Sequence, residues 1–148
     1  MLKEWSSRMG QLEEMFTVHV AIEQAIDLKN EHGDSVVMIT FKGHAAGKYF
    51  TGKVLDGGVD TQVIGRGGGQ HTLSARYMLE GVDHAGESCK IYIENNGDAR
   101  SYREGILFRT HPRIITNSKA LSFLHEDVLV GEGRPTEAGV DITIYRWV

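Results

Sequence analysis

The chain has 148 residues, with 18 glycines, 2 prolines, a single cysteine and a formal net charge of -4, which is enough for one domain with a self-sufficient core. Its basic residues are scattered, so there is no electrostatic footprint for a phosphate backbone and nucleic acid is not an expected partner. Cys89 has no second cysteine to pair with, and no apolar run approaches a membrane span or a signal-peptide core. The cytoplasm is therefore the expected compartment, with no membrane partner, and Cys89 reads as a strand packing residue.

Residues 1–15 are expected to form an N-terminal helical extension. Leu2, Trp5, Met9, Leu12 and Phe16 recur at three- and four-residue steps among charged residues. Gly10 interrupts this pattern at a cost of about 1 kcal/mol relative to alanine, which predicts a short or broken helix. Such a helix either covers the core of a domain spanning 16–148 or mediates homo-oligomer contact through an exposed Trp5, Met9 and Leu12 stripe.

From Phe16 the period changes to two. Phe16 to Ile22 gives a first strand, Ser35 to Lys42 a second, Tyr49 to Leu55 a third and Val59 to Ile64 a fourth. Asp56-Gly57-Gly58, between the last two, is read as a tight hairpin turn. Gly65-Arg66-Gly67-Gly68-Gly69 is not a phosphate loop, because no helix follows to present free N–H groups to an anion. His71 to Leu79 alternates as a strand instead, which makes the glycines a hairpin loop. Further strands are expected at Glu87 to Asn95 and Ile106 to Thr116, then a short helical turn at Ser118 to His125 with Ser118 as its N-cap. Asp127 to Val130 and Val140 to Val148 end the chain, joined by a Gly131 to Gly139 hairpin.

Eight or nine antiparallel strands avoid exposed sheet edges by closing. The expected fold is accordingly all-β, a single closed antiparallel barrel, whose lumen at eight strands is filled by side chains or holds one small ligand.

Four ionisable residues stand in mid-strand: Asp60, Arg76, Glu94 and Arg109. Facing inward together, they would balance and form a lumenal network, since unpaired burial is prohibitive. Arg76 and Arg109, with Gln62 and Asn95, would then bind a polar or anionic small organic molecule, guanidinium gripping carboxylate. Asp60 and Glu94 would be the candidate catalytic acid or base. Facing outward, the charges are merely solvated, and exposure of Arg76 and Arg109 on the outside would sink the lumenal arrangement. Seven histidines, at positions 19, 32, 44, 71, 84, 111 and 125, show no metal-ligand spacing, so neither a metal nor any other cofactor is expected.

The segments Phe16-Thr17-Val18-His19-Val20, Gly57-Gly58-Val59-Asp60-Thr61-Gln62, Ala75-Arg76-Tyr77, Ile91-Tyr92-Ile93 through Asn96-Gly97, Phe108-Arg109-Thr110 and Val130-Gly131-Glu132-Gly133-Arg134 resemble an uncharacterised bacterial family, domain of unknown function three-two-three-seven. The resemblance spans roughly Phe16 to Val148 and implies a compact antiparallel β-barrel without assigning a reaction. Thr61 stands where the family commonly has an aromatic residue, and Phe123 where it often has tryptophan. The sequence leaves two functions open. One is a lumenal small-molecule binder, with metal-free isomerase, cyclase or dehydratase chemistry if catalytic. The other is a packed structural or interaction protein assembling through its N-terminal helix.

Overall fold

Two-residue alternation dominates the computed structural model, which describes residues 11–99 and 105–148. Nine strands form: β1 (Leu12–Leu28), β2 (Ser35–Ala46), β3 (Phe50–Val54), β4 (Val59–Ile64), β5 (His71–Asp83), β6 (Ser88–Asp98), β7 (Phe108–Thr116), β8 (Leu129–Pro135) and β9 (Gly139–Trp147). All pair antiparallel, and β1 bonds both β2 and β9, so the sheet closes into a barrel.

The barrel has eight positions rather than nine, because β3 and β4 share one. Both lie between β2 and β5 and run in the same direction: Gly52 is opposite Ala45 and Gly81, and Asp60 is opposite Ile39 and Ala75. Asp56-Gly57-Gly58 is therefore an interruption within one strand position and not the expected hairpin. Gly57 supplies the positive φ of 104° that the interruption needs. The Gly65–Gly69 loop does join β4 to β5 as a hairpin, through a short 3-10 turn at Arg66–Gly68.

The expected N-terminal helix is not formed where it can be followed. Positions 1–10 lie outside the described residues, and β1 is already extended at Leu12. A bulge between Glu14 and Phe16 turns both Met15 and Phe16 inward, each fully buried.

One end of the barrel is solidly packed. Phe16, Val18, Phe50, Leu79, Ile91 and Ile144 fill it, and the connection from β7 to β8 seals it by turning Leu121 and Leu124 inward. Burying a leucine stabilises by about 1.5–3 kcal/mol. Asp83 anchors this plug: its carboxylate accepts the Ser118 hydroxyl (2.7 Å) and the N–H groups of Ala85 (2.9 Å) and Glu87 (3.1 Å). Ser118 Oγ in turn accepts the Leu121 N–H at 3.1 Å, but Ser118 is not the expected N-cap: the 3-10 turn spans only Ser122–His125, with Leu121 at its N-cap and no side-chain cap. The Ser118 hydrogen bond, with smaller help from the two backbone N–H groups, holds the Asp83 carboxyl below its usual range despite burial. The stability it contributes is present above the unfolded-state aspartate pKa and is lost as pH falls through the lower folded value. Asp83→Ala is expected to lower the urea midpoint at neutral pH, with the gap from the parent protein narrowing as the pH is taken down; an unchanged midpoint would remove Asp83 from this role.

Among the described residues no helix is long and apolar enough to cross a membrane.

Candidate functional site

The opposite end of the lumen is not filled. A cavity of about 390 Å³ lies there, walled by Ile39, Phe41, Leu73, Phe108 and Ile142 and carrying one polar cluster of Asp60, Gln62, His71, Tyr77, Asn95 and Thr110. Its size falls in the range of small-molecule sites, which are typically apolar with a few placed polar groups.

Strand alternation and register put each group in place. Asp60 and Gln62 alternate inward on β4, opposite Ala75 and Leu73 of β5. His71 and Tyr77 share that inward face of β5, and Asn95 sits opposite Ala75 on β6. Three of these groups are hydrogen-bonded in series: Gln62 Nε2 donates to Asp60 Oδ2 at 2.8 Å, and Gln62 Oε1 meets His71 Nε2 at 2.6 Å. Three other buried polar atoms of the cavity wall, Asp60 Oδ1, the Tyr77 hydroxyl and Asn95 Oδ1, have no protein hydrogen-bond partner. Leaving such an atom unsatisfied costs about 1–3 kcal/mol.

Burial raises the Asp60 carboxyl above its ordinary range, opposed in part by the Gln62 hydrogen bond, by His71 and by the Ser74 backbone N–H. Burial, with Asp60 adding to it, pushes the Tyr77 phenol far above its usual range. Tyr77 is therefore a hydroxyl donor at any physiological pH.

The four mid-strand charges do not meet in the lumen. Arg76 is on the outer face, its side chain 59% exposed, beside Glu94 at 3.7 Å. Glu94 also faces outward and accepts from Arg113 at 3.1 Å. Arg109 points outward too, since Phe108 and Thr110 on either side of it line the lumen. Its guanidinium donates to Glu132 at 2.6 Å, and Glu132 is buried on the outer surface between Arg109 and Arg134. The expected arginine grip on an anion inside the barrel is thus not formed. The register explains this: with Asp60 opposite Ala75, Arg76 must project from the other face. Of the residues singled out in the sequence, Asp60, Gln62 and Asn95 come together in the cavity. Tyr77, Thr110 and His71 join them, and sequence reasoning missed them. Tyr77 and His71 share a face with Leu73 and Ala75, so their signal was hidden in what read as core. Among the described residues, no group of three or more His, Cys, Asp or Glu side chains is placed to hold a metal ion.

Comparison with known proteins follows the same architecture. The family described as "Protein of unknown function (DUF3237)" matches residues 10–147. The chain belongs to this family. A UPF0311 protein of Clostridium acetobutylicum is 37% identical over 87 residues, covering 57% of this chain and 52% of that protein, so the match spans about half the length of the curated relative. A crystal structure of a protein with unknown function from Clostridium acetobutylicum superposes with a TM-score of 0.79 at 27% identity, covering 93% of this chain and 99% of the other. The structure of an enzyme from Penicillium herquei superposes with a TM-score of 0.69 at 17% identity, covering 93% and 94%. At that identity the likeness shows a shared barrel fold and nothing about chemistry. The DUF3237 chain described here is thus an eight-position antiparallel barrel with one packed end and one hollow end.

Proposed function

We propose that this DUF3237 barrel binds a small, mainly apolar and uncharged organic molecule in its lumen and acts on it by proton transfer through Asp60. The observation that carries this reading is the convergence of Asp60 Oδ1, the Tyr77 hydroxyl and Asn95 Oδ1, all buried and unpaired within the protein, on one apolar-walled cavity. The ligand class departs from the anionic one expected of the arginines, because among the described residues no lysine or arginine lines the cavity.

A carboxyl raised by burial retains its proton at higher pH than usual, which suits a general acid. Neutral Asp60 gives the proton on one oxygen to a basic carbon or oxygen of the ligand. The resulting carboxylate keeps the Gln62 N–H on the other oxygen and recovers a proton from a different position of the protonated ligand. Tyr77 donates to a carbonyl or hydroxyl oxygen and fixes its orientation. Isomerisation, cyclisation and dehydration all balance on such an exchange. The Penicillium neighbour is called an enzyme, which is compatible with catalysis on this fold.

Calorimetric titration with 1-tetralone, 1-tetralol and a tetralin carboxylate tests the site. The ketone and alcohol are expected to bind, the carboxylate at least about tenfold more weakly, and Ala75→Trp, which fills the lumen, is expected to abolish binding of all three. Tighter binding of the carboxylate, or binding unaffected by Ala75→Trp, would overturn the reading.

A further inference from the structure

We propose that His71 is a positioning residue that determines, through the Gln62 carboxamide, which oxygen of Asp60 carries the proton. This rests on Asp60 being the acid of the lumenal site.

The argument is one of donor and acceptor polarity. A carboxamide has one donating end and one accepting end, and nothing in its shape distinguishes them. His71 Nε2 lies 2.6 Å from Gln62 Oε1, and Gln62 Nε2 lies 2.8 Å from Asp60 Oδ2. An imidazole N–H at Nε2 pins the carbonyl end toward β5, so the N–H end must face Asp60. Oδ2 then accepts a hydrogen bond in both protonation states of the acid. The proton of neutral Asp60 is left to Oδ1, the oxygen that lines the cavity and has no protein partner. Reversing the amide would set two acceptors against each other unless the proton moved to Oδ2, where it would be spent on Gln62 and lost to a ligand.

His71 is placed to do this from the loop end of β5. It lines both the lumenal cavity and a second hollow formed with Gly68, Gly69, Gln70, Thr72, Asp98 and Ala99. It therefore ties a buried acid to the glycine loop at the rim. The titratable groups facing Asp60 are His71 and Tyr77, both on β5, while β2 presents Ile39 and Phe41 and β6 presents the neutral Asn95.

The test is a carboxyl ¹³C NMR titration of Asp60 in the parent protein and in His71→Phe, His71→Gln and Gln62→Leu. Gln62→Leu is expected to raise the Asp60 midpoint by about half a pH unit or more, and His71→Phe to move it most of the way there. His71→Gln restores a neutral N–H donor and is expected to return the midpoint toward that of the parent. A His71→Gln midpoint matching His71→Phe would mean that His71 acts only through its charge and would overturn the proposal. So would a midpoint unmoved in both. Should His71→Phe not fold, ¹⁵N spectra of the parent decide: neutral His71 must carry its proton on Nε2, and protonation at Nδ1 instead overturns the relay. Binding of 1-tetralone in the same samples separates the two readings. Unmoved midpoints with tetralone still bound refute the relay alone, whereas loss of lumenal binding in the parent protein refutes the site itself.

Discussion

Asp60→Asn is expected to make the protein more stable and chemically inert. Among the described residues Asp60 is the one carboxylate that lines the hollow end, and its folded pKa lies above the unfolded value because burial disfavours the charged form. Between those two values the native state binds more protons than the unfolded chain. Stability is therefore fully present below the unfolded pKa and declines as pH rises through the folded one. Asparagine has no charge to bury. The melting temperature of Asp60→Asn should match that of the parent at about pH 3 and exceed it by a few degrees at about pH 8. In the same variant, tetralone binding should persist, and turnover of the natural substrate should fall by about 10²–10⁴, the usual share of general acid–base catalysis. Calorimetric melting across pH checks the first part without knowledge of the substrate. A variant less stable than the parent at high pH would show that the Asp60 charge is well satisfied and that the site is not poised for proton transfer.

Gly81→Val is expected to have the largest effect on folding. Gly81 of β5 lies opposite Gly52 of β3, and a Cβ at Gly81 would fall on the Thr51 carbonyl and the Gly52 Cα, which are backbone atoms that cannot step aside. A valine there should cost about 3 kcal/mol or prevent closure altogether, seen as loss of the cooperative urea transition or of soluble protein. Val82→Thr, one residue along and 45% exposed, should leave the transition in place. A normal transition in Gly81→Val would mean that the strands can part there and that their close approach is not needed for closure.

The barrel was legible because most strands have one buried face. Leu73, Ala75, Tyr77 and Leu79 alternate with Ser74, Arg76 and Met78 and are all buried, and β4 begins and ends where alternation says it should. Three features were hidden for physical reasons. The far half of β1, from Glu23 to Leu28, is exposed along its whole length, so burial imposes no pattern on it. The part of β8 from Gly131 on was read as a loop because Gly131 and Gly133 occupy its inward positions. They are glycines because Thr110 and the Phe108 ring fill the space their side chains would need. The candidate site was half visible. Asp60, Gln62 and Asn95 could be named, but whether Arg76 joined them hung on a register shift of one residue, which exchanges the two faces of a strand. No feature of the sequence fixes that register; the pairing of Asp60 with Ala75 does.

The most direct test of a lumenal site is amide and side-chain NMR mapping of the protein titrated with 1-tetralone. The shifts should concentrate at Ala75, Tyr77, Asn95 and Thr110 and at the side-chain amides of Gln62 and Asn95, with the outer residues Arg76, Glu94 and Arg113 unmoved. Shifts confined to those outer residues, or none at saturating tetralone, would contradict the assignment of the hollow end as the functional site.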